Sequence, residues 1–135
     1  MRFMIIGKAT KETERGVPPT PEALAAMQGY MEELVKAGVL LAAEGLAASS
    51  KGARVRFSGD ERTVIDGPFT EAKELIAGFT IIQAKSLEDA IAWVKRAPNT
   101  SPNGEAEVEI RKVMDVEDFG DAFTPNPEIA KVKIN

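Results

Sequence analysis

The sequence contains no cysteine and no histidine. The first absence excludes disulfides, thiolate metal sites and a cysteine nucleophile. The second removes the commonest general base near neutral pH and the commonest transition-metal ligand. An acid–base group must therefore be Asp, Glu, Lys or Tyr. A metal ion would have to sit on carboxylates and carbonyls, as magnesium and calcium do. No apolar stretch approaches the roughly 18 residues of a membrane span, so none is expected. Lys and Arg form no run, and a formal charge of −4 gives little pull toward nucleic acid or anionic lipid. The chain opens on a strand-like run with no separate apolar signal region and cleavage site. These absences predict a cytoplasmic protein with no cofactor and no nucleic-acid or membrane partner.

What is present is ordinary globular material. A chain of 135 residues, 44% hydrophobic and 28% charged, is long enough for one domain with its own core. Arg2 to Gly7 is a short apolar run closed by glycine and reads as a buried strand. A polar stretch follows, and Lys11 to Gly16 offers nothing to interpret. Thr20 then stands as an N-cap before Pro21 at the first helical position. Leu24, Met27, Tyr30, Met31, Leu34 and Val35 recur at helical spacing, and Gly38 ends the helix.

Val39 to Leu46 is a second apolar run. Val55 and Phe57 alternate with Arg54 and Arg56, Ser58-Gly59-Asp60 is a turn, and Thr63 to Ile65 returns, which together predict a hairpin. Ile76 to Ala84 is again strand-like. Ser86 and Asp89 have the spacing of a capping box, with Leu87, Ala90, Ile91 and Val94 as the buried stripe behind it and Trp93 at its edge. Val108 and Ile110 alternate with charged residues in a last strand.

With the hairpin set aside, the order is a split βαβ repeat, which predicts an α+β fold of ferredoxin-like type with both helices on one face of an antiparallel sheet. Three of the strands are apolar at successive positions, so their second face needs a cover too. The simplest cover is the same sheet of a second copy, and a two-fold homodimer is expected. The expected domain spans residues 1–113. Residues 114–135 form an acidic tail bearing Phe119 and Phe123, read either as an extra edge strand or dimer strap, or as a solvated tail pinned by its phenylalanines.

One loop carries more than pattern. Asp66-Gly67-Pro68-Phe69, two residues, then Lys73-Glu74 and a glycine-containing strand start at Ala77-Gly78-Phe79 resemble the signature of the DGPF branch of the YCII-related family. Upstream, Glu44-Gly45-Leu46 resembles that family's Gly-Glu-x-Leu, with Ala43 in place of the first glycine. The resemblance covers Arg2 to Val113. It implies a dimeric α+β barrel of ferredoxin-like subunits and leaves the chemistry open. Catalysis by a histidine–aspartate pair, suspected in related YCII proteins, is excluded here by the lack of histidine. Members found beside sigma factors imply a regulatory protein partner of sigma type as an alternative to a small ligand.

At the loop, Gly67 and Pro68 read as conformational residues and Phe69 as an anchor into the core. Asp66 is either a turn carboxylate bonded to backbone N–H groups or the acid–base group of a pocket. Glu44 ends an apolar run and needs a partner or water, for which Arg54, Arg56 and Lys73 are candidates. Lys8, ending the first strand, could point toward the same rim. The expected site is thus a cleft beside the loop for a small polar ligand, lined by Glu44, Arg54, Arg56, Phe69 and Lys73, with Asp66 catalytic if the protein is an enzyme.

Overall fold

In the computed structural model, which describes residues 1–71 and 74–120, the first apolar run is strand β1 (Arg2–Lys8). The polar stretch after it holds a single turn of helix, α1 (Lys11–Glu14). Thr10 caps it, accepting the Thr13 N–H at 3.2 Å while the Thr13 hydroxyl oxygen accepts the Thr10 N–H at 2.8 Å. This reciprocal cap folds a segment with no apolar period.

Helix α2 (Pro21–Lys36) starts as expected, with the Thr20 hydroxyl accepting the Ala23 N–H at 3.1 Å. Gly38 then takes φ +72°, the left-handed turn out of the helix that a β-carbon disfavours. Strand β2 (Leu40–Gly45) follows, then a 3-10 turn (Ser49–Lys51) and the hairpin β3 (Ala53–Ser58) and β4 (Glu61–Asp66). Strand β5 (Ile76–Gln83), helix α3 (Leu87–Lys95) and strand β6 (Val108–Lys112) complete the repeat, and a second 3-10 turn (Val116–Phe119) lies beyond it. Residues 72 and 73 lie outside the described residues, as does the part of the acidic tail from 121 to 135.

The four main strands form one antiparallel sheet in the order β2-β5-β1-β6, and the hairpin is a separate two-stranded sheet. That order, with α2 and α3 as crossovers, is the ferredoxin-like split βαβ. Phe3, Tyr30, Leu34, Ile82, Ala84 and Ala90 are the buried core, with Leu34, Ile82 and Ala90 fully enclosed. Their positions define the inner face of the sheet, under the helices. The Tyr30 hydroxyl donates to the Trp93 carbonyl at 2.7 Å and so ties α2 to α3. Burial pushes the Tyr30 phenol pKa up.

Three local expectations need correction. Leu87 was expected in the buried stripe of α3 but is exposed, because that face of the helix is carried by Ala90 with Trp93 packed beside it. Leu24 and Val35 share the helical spacing of α2, yet both are exposed; the buried arc is centred on Tyr30 and Leu34. The α3 cap is also not a full box. The Ser86 hydroxyl accepts the Asp89 N–H at 3.1 Å, but the Asp89 carboxylate takes the Lys85 N–H at 3.0 Å rather than that of Ser86. No helix among the described residues is long and apolar enough to cross a membrane.

Candidate functional site

Alternation along the strands assigns the outer face, away from the helices. Met4 and Ile6 of β1 stand there opposite Ile81 and Phe79 of β5, and Ala42 and Glu44 of β2 oppose the same two residues from the other side. On β6 the outer positions are Glu109, opposite Ile6, and Arg111, opposite Met4. Within one chain this face is already partly closed. Ile81 and Ala42 are buried, while Met4, Ile6 and Phe79 are half-buried.

Two carboxylates share this face, in different states. Glu109 accepts from Arg111 at 3.0 Å and from Lys8 at 3.2 Å, and these bonds hold its pKa below the usual range. Lys8 does point to the sheet rim, but its partner is Glu109 on β6. Glu44, on the opposite edge strand, has no ion pair or side-chain hydrogen bond among the described residues. Neither Arg54 nor Arg56 reaches it.

The loop of Asp66 to Phe69 arrives at the same end of the sheet, where β2 ends and β5 begins. Its hold on the 3-10 turn is specific. The Gly67 N–H donates to the Gly52 carbonyl at 3.1 Å, and the Phe69 N–H donates to the Ser49 hydroxyl at 3.0 Å. Ser49 in turn donates its N–H to the Glu14 carboxylate at 2.9 Å, and its hydroxyl donates to the same carboxylate. The Ser49 bonds lower the pKa of Glu14. The segment that offered nothing to sequence reading thus supplies the residue that clamps the loop. A Thr-x-x-Thr capping pattern at Thr10 was the available signal for α1; nothing local pointed to Ser49.

Glycine is required at position 67 by contact, not by an unusual φ. A β-carbon there would sit 1.7 Å from the Ser49 carbonyl oxygen. The Gly67-Pro68 peptide is cis. Phe69 is half-buried and lies outside the core cluster; the Arg54 guanidinium covers its ring at 3.9 Å from the centroid.

The predicted residues therefore fall into three groups. Arg54 and Phe69 meet directly. Arg56 stands on the same side of β3 as Arg54, opposite Thr63. Asp66 pairs across from Ala53, which alternation places on the other hairpin face, with Val55 and Val64. The Asp66 side chain is exposed and unpartnered among the described residues, so the bonded-turn reading of it does not hold here. Glu44 belongs to the outer sheet face, and Lys73 lies outside the described residues.

Comparison with known proteins places residues 1–116 within the model of the YCII-related domain. An uncharacterised protein of Rhizobium meliloti (strain 1021) is 36% identical over 77 residues, which is 57% of this chain and 62% of that one. The aligned region thus spans about three-fifths of that curated relative. Among solved structures, 5-chloro-2-hydroxyhydroquinone dehydrochlorinase (TftG) from Burkholderia phenoliruptrix, in complex with 2,5-dihydroxybenzoquinone, is similar at 18% identity and a TM-score of 0.46. That match covers 84% of this chain and 94% of that one.

Proposed function

The chain belongs to the YCII-related family, and from that premise we propose that it binds a small polar ligand at the loop end of the outer sheet face, as a homodimer. The observation that carries this reading is the unpaired Glu44. On a face where Glu109 takes two cations, Glu44 stands opposite Phe79 with none among the described residues. Glu44 is exposed in the single chain, and a second copy covering this face would take its carboxylate out of open water, where it binds a ligand's N–H or O–H group more strongly. The half-buried Met4, Ile6 and Phe79 supply the apolar surface that a second copy would finish covering.

In this reading Glu44 takes the donor end of the ligand. Arg54, Arg56 and Lys73 supply positive charge for its acceptor end, and Phe69 with its stacked guanidinium forms a wall. Asp66, the acid–base group expected from the sequence, stands on the opposite hairpin face from these arginines, so its substitution serves as the control. The test is a thermal-shift screen of the purified full chain against small polar compounds, repeated on Glu44→Gln and Asp66→Asn. A ligand at 100 times its Kd raises stability by about 2.7 kcal/mol, a readable shift. The expected result is a compound whose shift disappears in Glu44→Gln. Equal shifts in wild type and both variants would overturn the assignment.

A second reading is favoured by the hairpin. Val55, Phe57 and Val64 share one face and are 50%, 67% and 64% exposed. A two-stranded ribbon is marginal alone in water, and such a face suits a protein partner, for which the family resemblance implies a sigma-factor type. Replacing all three by serine should abolish capture of a sigma-type partner while leaving ligand shifts intact.

A further inference from the structure

On the inner face of the sheet, between it and the helices, lies a cavity of about 550 Å³. It opens to solvent past Gly45 and Val108, both exposed. The space has the size of a small-molecule pocket. Its floor is a row of glycines brought into line by register: Gly45 on β2 faces Gly78 on β5, which faces Gly7 on β1. Met27 and Met31 of α2 and Val94 of α3 form its roof.

The three glycines have different reasons to be there. At Gly78 a β-carbon would come within 2.7 Å of the Glu44 carbonyl oxygen, so close strand packing requires glycine. At Gly45 a β-carbon would meet nothing within 4 Å, and at Gly7 the nearest atom would be 3.6 Å away. Neither has a positive φ. Gly45 closes β2 and Gly7 adjoins the register shift of β1, both tolerant places for glycine, but no close contact requires glycine at either. Side chains there would fill the cavity. Their absence keeps it open and leaves a flat peptide floor, the arrangement that lets another molecule approach the backbone closely.

We propose that this cavity is a binding site for a neutral, largely apolar, flat small molecule, separate from the outer-face site. Among the described residues Glu44 is the one charged residue bordering it, and strand alternation turns that carboxylate to the other face, so none of their charges faces inward to attract an ion. The two methionine thioethers suit a polarisable ring. The Thr80 hydroxyl, on the inner face opposite Ile5 and without a hydrogen-bond partner among the described residues, provides one polar anchor. The ligand class is therefore a ring system bearing one hydroxyl or carbonyl group.

The probe is N-phenyl-1-naphthylamine, a neutral dye that brightens in apolar surroundings, titrated into the full chain. The expected result is saturable binding of one dye per chain. Gly45→Leu and Gly7→Val, made separately so that one misfolded variant does not remove the test, should each weaken it at least tenfold without lowering the Tm. Glu44→Gln should leave dye binding unchanged, which separates this site from the outer-face reading. The hairpin variant Val55→Ser/Phe57→Ser/Val64→Ser should also bind as wild type does. No saturable binding would overturn the proposal, as would binding lost in the hairpin variant and retained in both glycine variants.

Discussion

The sheet and the hairpin use the same alternation of side chains to opposite ends. In the four-stranded sheet, Phe3, Ile82 and their neighbours alternate into a core where Leu34 and Ile82 are fully enclosed. In the hairpin, Val55 and Val64 face each other across the strands and every residue of β3 is exposed. The difference lies in what stands above each face. Two helices cover the sheet, whereas among the described residues the hairpin pairs only with itself. Its shape comes from the turn at Gly59, with φ +58°, from the Arg62 guanidinium donating to the Gly59 and Glu61 carbonyls at 2.9 Å, and from the clamp at its base. Burial stabilises the first region; local hydrogen bonds shape the second.

This contrast can be broken from its strongest point downward. Leu34→Ala should cost about 3 kcal/mol, lowering the Tm by about 10 °C in a thermal melt, because a fully enclosed side chain leaves a cavity behind. Gly67→Ala comes next, at about 2 kcal/mol, because the added methyl must displace the Ser49 carbonyl. Hydrogen exchange should show the Phe69 and Ser49 amides losing protection while the core strands keep theirs.

Acid should act on the same clamp. The pKa of Glu14 is lowered in the folded chain by the Ser49 hydrogen bonds, so its contribution is complete above the ordinary carboxylate value of 4.5. It is lost as pH falls through the lowered folded value. Glu14→Gln should remove that part of the acid sensitivity, read as a flatter Tm profile below about pH 4.5. The smallest effect is expected on the hairpin. Phe57→Ser should move the Tm of the lone chain by no more than the equivalent of about 0.5 kcal/mol, since it changes an exposed ring held only under Arg62. A loss as large as that of Leu34→Ala would mean that the hairpin face is buried in the working protein.

The legible parts of the sequence were those with local physical signals. Thr20 before Pro21, the apolar runs of β1, β2 and β5, and the turn at Gly59 each announce themselves within a few residues, and together they determine the ferredoxin-like order. The clamp was not legible, because Glu14, Ser49 and Phe69 are brought together by the fold across 55 residues of chain. Nor was the glycine floor, since Gly7, Gly45 and Gly78 line up only through strand register. The exposure of Leu24, Val35 and Leu87 shows the limit of periodicity: it finds a helix, but the neighbouring elements decide which arc is covered. At the site, the sequence marked Glu44 and Asp66 as carboxylates in unusual places. It could not show that Asp66 stands on the opposite hairpin face from Arg54 and Arg56.

The measurement that tests the central claim most directly is native mass spectrometry of the freshly purified full chain beside its Glu44→Gln variant. A dimer of the 14.5 kDa chain carrying a reproducible small added mass, absent from the variant, is the predicted result. A bare monomer for both proteins, or an added mass that survives the substitution unchanged, would contradict it.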